Sequence, residues 1–151
     1  MLYRVFLIGL FILLFASCGK IEEPVFNYID NVRVGKLGVS SSLMTFDVQY
    51  FNPNNRKAQL KEAEGEAWVD SAYVGHFRVD TIVDIPAKSN FTIPVKLDVD
   101  MKYFLKYSMF GFRNEEVLVT VKGNARLGKG GVYRKIPLHY EGKHNLAELI
   151  K

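Results

Sequence analysis

The sequence of 151 residues contains one cysteine, Cys18, and three histidines. A single cysteine cannot form a disulfide within the chain, so a framework of internal disulfides is excluded. The histidines, His76, His139 and His144, are far apart or in different predicted strands, and no second cysteine could join them as a metal ligand. We therefore expect no metal site and no cofactor.

The chain also lacks a long hydrophobic run. Its only pronounced apolar stretch, Val5–Phe15, is shorter than the ~20 residues that a membrane-spanning helix requires. A positive charge at Arg4 precedes this stretch and the small pair Ala16-Ser17 follows it, which is the order of zones in a secretory signal peptide. Residues 1–17 are therefore predicted to be removed from the mature protein.

The segment Phe15-Ala16-Ser17-Cys18 resembles the lipobox of bacterial lipoproteins, with Phe15 where leucine is usual. The resemblance implies that Cys18 becomes the first residue of the mature chain and carries lipid. Each methylene of an acyl chain buried in a bilayer contributes ~0.8 kcal/mol to membrane binding. One acyl chain therefore binds a protein only marginally, whereas two or more bind it firmly. We expect a membrane to be the partner of this protein, reached through the lipid on Cys18.

Residues 18–24 are predicted to form a lipidated tether, and residues 25–151 a single domain. Gly19 follows the cysteine in place of the aspartate that often retains a lipoprotein at an inner membrane. The pattern Lys20-Ile21-Glu22-Glu23 resembles the charged export signals of surface lipoproteins in the Bacteroidetes group, although a plain polar linker is an equal alternative. The expected location is the cell envelope, at the outer membrane.

Charge and motifs argue against two classes of function. The 20 Lys and Arg residues exceed the 16 Asp and Glu residues by only four, and they show no basic cluster typical of nucleic-acid binding. Glu62, Glu64 and Glu66 share one face of a predicted strand, and without an evident basic partner they are interpreted as its solvated side. Gly128–Gly131 lacks the strand-loop-helix setting of a phosphate-binding loop and is predicted to be a hairpin turn. We predict that the protein is not an enzyme.

Alternation of apolar and polar residues dominates the rest of the chain and predicts an all-β fold. The clearest case is the stretch 91–99, in which every second residue is apolar. One-sided burial and short turn segments favour an antiparallel β-sandwich of about seven strands. The predicted strands are Phe26–Val39, Leu43–Tyr50, Ala58–Val69, Tyr73–Ile85, Phe91–Val99, Glu116–Leu127 and Val132–Tyr140.

One short helix is predicted to interrupt the strands. Asp100 can cap it, and Gly111 ends it after apolar residues at helical spacing. The helix region is richer in aromatic residues than one buried stripe requires. These residues are interpreted as a plug for one end of the sandwich, with a ligand-binding lip as the alternative. The candidate lip consists of Tyr103, Phe104, Tyr107 and Phe110, with Phe112 beside them.

Several motifs in order resemble the late embryogenesis abundant type 2 family, whose core is also called the WHy domain. They are Tyr50-Phe51-Asn52-Pro53-Asn54, Ala67-Trp68-Val69, Tyr73-Val74-Gly75, Ile85-Pro86-Ala87-Lys88-Ser89 and Val95-Lys96-Leu97-Asp98-Val99-Asp100. The resemblance covers roughly residues 30 to 110 and implies an immunoglobulin-like or fibronectin type III-like sandwich with one helix. It also implies protection of membranes or proteins under water or envelope stress. The alternative function is an envelope binding module for a lipid, another apolar ligand or a partner protein.

The Asn-Pro-Asn motif also has a direct physical interpretation. Asn52 precedes a proline and is pushed towards an extended conformation, Pro53 restricts φ, and Asn54 tolerates left-handed geometry. A strand is therefore predicted to end there in a tight structural turn.

Two short segments, Asp70-Ser71-Ala72 and Asp80-Thr81-Ile82, resemble the acceptor for O-glycosylation in exported Bacteroidetes proteins. The alternative is that both are ordinary turn and strand residues. If the modification occurs, we expect Ser71 to be occupied before Thr81, because Ser71 lies in a predicted turn and Thr81 in a predicted strand.

Overall fold

The computed structural model describes residues 21–38, 41–102 and 116–145, which form eight β-strands. The all-β prediction is confirmed. The signal peptide, Cys18 and most of the predicted helix lie outside the described residues. The strands are β1 (Val25–Leu37), β2 (Ser41–Phe51), β3 (Ala58–Val69), β4 (Ala72–Val79), β5 (Val83–Ile85), β6 (Asn90–Asp100), β7 (Glu116–Lys129) and β8 (Val132–Asn145).

All eight strands belong to one antiparallel sheet in the order β1-β2-β6-β4-β3-β7-β8, with β5 paired only to β3. The predicted antiparallel arrangement is confirmed, and hydrogen bonds link the strands into one continuous sheet. The sheet curls over its own inner face, since the rings of Phe26 on β1 and His144 on β8 lie 5.6 Å apart although these strands end the order. Alternation reports which face of a strand is buried, and it carries no information on whether the layers are continuous.

The inner face of the curled sheet holds one hydrophobic core. On β6 the predicted apolar face is confirmed, because Phe91, Val95, Leu97 and Val99 are buried and Ile93 is half-buried. Side chains from every strand contribute to or pack against this core. The buried members are Val48, Leu60, Ala63, Phe77, Val79, Val83, Ile85, Phe91, Val95, Leu97, Val99 and Ala125.

The predicted strand Tyr73–Ile85 is two strands, which explains why eight are observed and about seven were predicted. Exposed residues 80–82 separate β4 from β5. β4 lies between β3 and β6, but its pairing with β6 ends at Arg78 and Lys96. The first half of β6 therefore has β2 as its only ladder partner, and Pro94 lies in this half, where a missing N–H is tolerated.

Two hairpins close with two-residue turns in which both residues have positive φ. Gly130 and Gly131, at φ 61° and 85°, join β7 to β8, as the glycine-rich segment predicted. Asp70 and Ser71, at φ 48° and 67°, join β3 to β4. This is the type I′ geometry that matches the twist of antiparallel strands.

Only the start of the predicted helix falls on described residues. Met101 and Lys102 are helical, and Asp100 Oδ1 accepts a hydrogen bond of 3.0 Å from the Lys102 amide, as expected of a cap. The candidate lip residues Tyr103, Phe104, Tyr107 and Phe110 lie outside the described residues. Among the residues that the structure describes, no helix is long and apolar enough to span a membrane.

Candidate functional site at the tether end of the sheet

The tether enters the sheet at an end that also carries three turns. We call this the tether end and define it by residues 21–24, 52–57, 86–89 and 129–131. β1 begins opposite the last residue of β2, since Val25 pairs with Phe51, and Phe51 in turn pairs with Asn90 at the start of β6. The polar contacts that join these segments are concentrated around the Asn-Pro-Asn turn.

Asn52 is the centre of this turn and is only 3% exposed. Its Nδ2 donates hydrogen bonds to the carbonyls of Arg56, at 3.0 Å, and Pro86, at 2.8 Å. Its Oδ1 accepts from the Asn54 amide at 3.0 Å, and its backbone amide donates to the Ser89 carbonyl at 2.9 Å. The predicted structural turn is confirmed, and the buried amide also joins it to the turn between β5 and β6.

Asn54 holds the tether through two hydrogen bonds to the backbone of one residue. Its Oδ1 accepts from the Glu22 amide at 2.9 Å, and its Nδ2 donates to the Glu22 carbonyl at 2.7 Å. The side-chain amide thus pairs with Glu22 as a neighbouring strand would. Backbone bonding also orders the turn from the other side, because the Lys88 amide donates to the Asn54 carbonyl at 3.0 Å.

A cleft of about 660 Å³ opens at the tether end beside these turns. It lies between β5 and β6, which no ladder joins because β5 pairs only with β3. Its lining combines apolar groups such as Ile85, Pro86 and Phe91 with Lys57 and Lys129. Asp84 also lines the cleft, so it offers charges of both signs beside its apolar wall and suits an amphiphilic molecule.

The cleft borders a row of contacting aromatic rings that crosses the inner face. Phe91 stacks on Tyr50 at 5.7 Å, Tyr50 meets Phe26 edge-on at 5.9 Å, and Phe26 meets His144. The Tyr140 hydroxyl is hydrogen-bonded to Nε2 of His144. The pKa of Tyr50 is raised above 10.0, chiefly because burial disfavours the phenolate and secondarily because of Tyr140.

The outer face of the sheet is charged and paired across strands. Arg126 lies 3.2 Å from Glu62, Arg78 lies 2.6 Å from Asp98, and Lys96 lies 2.8 Å from Asp80. The hydrogen bond from Lys96 lowers the pKa of Asp80.

The three glutamates of β3 are solvated, as predicted, but the expectation that they lack a basic partner is wrong for Glu62. Its partner Arg126 is far away in sequence and becomes adjacent only through the β3–β7 register. Within the described ranges, no group of three or more His, Cys, Asp or Glu side chains is arranged to hold a metal ion.

Both candidate glycosylation residues are exposed. Ser71 lies in the β3–β4 turn, as predicted, and its neighbour Asp70 is held to Leu118 by two hydrogen bonds of 2.9 Å. Thr81 lies in the loop between β4 and β5, so its prediction as a strand residue is wrong. Ser71 and Thr81 both lie in exposed connections between strands. Accessibility therefore gives no reason for Ser71 to be modified first.

Sequence reasoning missed the cleft, because its walls come from four separate parts of the chain. Lys57, Asp84, Asn90 and Lys129 belong to four different strands or turns. The predicted ligand lip was instead placed at residues 103–110, which lie outside the described residues. The one available signal was the positive charge that recurs in three turns containing proline or glycine.

No protein-family model matches the chain, and none of the curated proteins matches it. Among solved structures, it is similar to a crystal structure of a protein from Archaeoglobus fulgidus, with 11% identity, a TM-score of 0.47, and coverage of 80% of this chain and 96% of that chain. It is also similar to the solution structure of AT1g01470 from Arabidopsis thaliana, with 12% identity, a TM-score of 0.49, and coverage of 90% and 88%. These similarities are too distant to indicate a function.

Proposed function

We propose that this chain is a lipid-anchored, non-enzymatic protein of the cell envelope, attached to a membrane through Cys18. Its all-β body, which resembles the late embryogenesis abundant type 2 family in sequence motifs, protects membranes or proteins at that surface under water or envelope stress. Outer-membrane attachment follows from the residues after Cys18.

The observation that carries the proposal is the contact between Asn54 and Glu22. Both hydrogen bonds fall on the backbone only four residues after Cys18, a distance that a fully extended chain limits to about 14 Å. A lipid on Cys18 would therefore hold the folded body next to the bilayer. Such a short tether suits a protein that acts at the membrane surface itself.

The anchor is tested by intact-mass measurement and detergent-phase partitioning of protein expressed in a bacterial host with a lipoprotein pathway. Wild type is expected to lack residues 1–17, to gain the mass of acyl chains and to enter the detergent phase. Cys18→Ser should accumulate as an unlipidated precursor. Ser17→Ala retains a small residue before the cysteine and should be processed like wild type. A wild-type mass of the full chain without acyl groups would contradict the anchor.

The protective role is tested with vesicles that contain a trapped dye and carry the lipidated protein. After drying and rehydration, vesicles with wild type should leak less dye than bare vesicles. A lipidated variant with both Phe91→Asp and Val95→Asp, which places two unpaired charges in the core and is expected to unfold the body, provides the control for the anchor alone. Equal leakage with folded and unfolded protein would show that the β-domain does not protect the bilayer.

The cleft favours a second candidate function, an envelope module that binds a lipid or another apolar ligand. Native mass spectrometry of protein extracted in mild detergent would reveal a bound molecule. We expect Thr92→Trp, at the cleft, to displace it, whereas Thr120→Trp on β7 should leave it bound. Absence of any bound molecule from wild type would argue against this alternative.

A further inference from the structure

Four cations lie at the tether end, on all three of its turns. Arg56 and Lys57 follow the Asn-Pro-Asn turn, Lys88 lies in the β5–β6 turn, and Lys129 borders the β7–β8 turn; all four residues are exposed. Within the part of the chain that the structure describes, none of them forms an ion pair, unlike Arg78, Lys96 and Arg126 on the outer face. Their positive charges are therefore open to a ligand outside the domain.

Among the described residues, the acidic groups at the same end form no ion pair with these cations. Asp84 accepts a hydrogen bond of 2.7 Å from Gln59. Glu22 and Glu23 lie on the tether, where the backbone of Glu22 is held by Asn54.

Among the described residues, the opposite end of the sheet is more acidic than the tether end. It carries Asp70 in the β3–β4 turn, Asp100 at the end of β6 and Glu116 at the start of β7, with Lys102 as an exposed cation. The described domain thus carries its charge unevenly from one end of the strands to the other, with cations on the turns nearest to the tether.

We infer that the tether end is a docking surface for anionic lipid headgroups, with Arg56, Lys57, Lys88 and Lys129 facing the bilayer. The inference rests on the proposed anchoring at Cys18. The chain leaves the domain from this end because β1 begins here opposite Phe51, and the bonds of Asn54 to Glu22 hold the preceding segment against the turn. Each cation near an anionic surface is expected to strengthen docking about fivefold. The domain stands with its strands directed away from the membrane and with Ser71 at the far end.

The test uses the lipidated protein in vesicles, with a fluorophore on a single introduced cysteine. Because the sulfur of Cys18 is consumed by the lipid, an introduced thiol is labelled uniquely. Ala87→Cys places the label in the β5–β6 turn, and Ser71→Cys is the matched position at the opposite end. A lipid with a spin-labelled headgroup quenches fluorophores that lie at the bilayer surface.

In vesicles of phosphatidylcholine and phosphatidylglycerol in equal parts, we expect strong quenching at position 87 and weak quenching at position 71. Quenching at position 87 should fall in phosphatidylcholine alone or in high salt, because the attraction is electrostatic. Lys57→Gln with Lys129→Gln should lower the ratio of docked to undocked domains about 25-fold. Lys102→Gln with Lys122→Gln removes the same charge elsewhere and should leave quenching unchanged.

The anchoring and the docking surface would be contradicted by different results. If labelled wild type does not float with vesicles at all, the anchoring is wrong and the docking surface falls with it. If it floats but positions 71 and 87 are quenched equally, or if lipid charge has no effect at position 87, the anchor stands and the docking surface is overturned.

Discussion

At the residue scale, the buried amide of Asn52 does more than end a strand. Its side chain satisfies the carbonyls of Arg56 and Pro86, which lie on two different turns. Both hydrogen bonds are part-buried, so water replaces them only in part when they are lost. Asn52 therefore determines how the turns of the tether end lie relative to one another.

Asn52→Ala is expected to lower the free energy of unfolding by about 2 to 4 kcal/mol, because two carbonyls and one amide lose their partner together. Urea denaturation monitored by circular dichroism measures this loss. Asn55→Ala, three residues later and exposed, is the matched control and should change stability by less than about 0.5 kcal/mol. Equal effects of the two substitutions would disprove the structural role assigned to the Asn52 amide.

Tyr50 is expected to make the free energy of unfolding depend on pH in the alkaline range. Its pKa in the folded protein is raised by burial from an ordinary value of 10.0, so the folded state keeps the phenolic proton where the unfolded state releases it. Stability is therefore complete below pH ~10 and decreases as the pH rises towards the folded pKa. Tyr50→Phe removes this contribution, so its stability should fall less steeply than that of wild type in this range. Parallel pH profiles for the two proteins, measured by urea denaturation, would contradict the effect.

At the element scale, β6 organises the core. Its inward residues alternate without interruption, and it pairs with β2 along its whole length. The pairing with β4 covers only its second half, and this shortfall creates both the site for Pro94 and the cleft beside β5. The same strand therefore stabilises the fold and leaves an opening in it.

Val95→Asp should reduce stability by at least about 3 kcal/mol, because a carboxylate at an 8%-exposed position has no partner and loses its water. Val34→Asp makes the same change on β1 at a side chain that is 56% exposed, and should cost at most about 1 kcal/mol. Thermal melting of both variants measures the difference. Similar losses at the two positions would show that the burial of Val95 does not determine the cost of the substitution.

At the scale of the whole molecule, the core is built from residues after the tether. Phe26 is the first side chain to pack against it, and the contacts of Glu22 are exposed hydrogen bonds. The stability of the domain therefore comes from the core residues that follow the tether, and the tether itself contributes little.

A chain that begins at Ile21 is expected to fold as a water-soluble domain with the melting temperature of the lipidated protein in detergent. A chain that begins at Pro24 loses the two bonds from Asn54 to Glu22 and should be less stable by about 1 kcal/mol or less. Calorimetry of the two truncated chains and of the lipidated protein measures the melting temperatures and the loss of stability. Failure of the longer one to fold would show that residues 1–20 are part of the domain.

The sequence by itself determined the all-β class, the buried face of β6, the Asn-Pro-Asn turn and the glycine hairpin, because each depends on residues that are close along the chain. Tertiary structure alone decided that the sheet is continuous, that Tyr73–Ile85 breaks into two strands, and that Arg126 pairs with Glu62. These features depend on register between distant segments. The tether end is the combined case: its turn residues are recognisable locally, but only the pairing of β2, β5, β6 and β7 brings them to one surface.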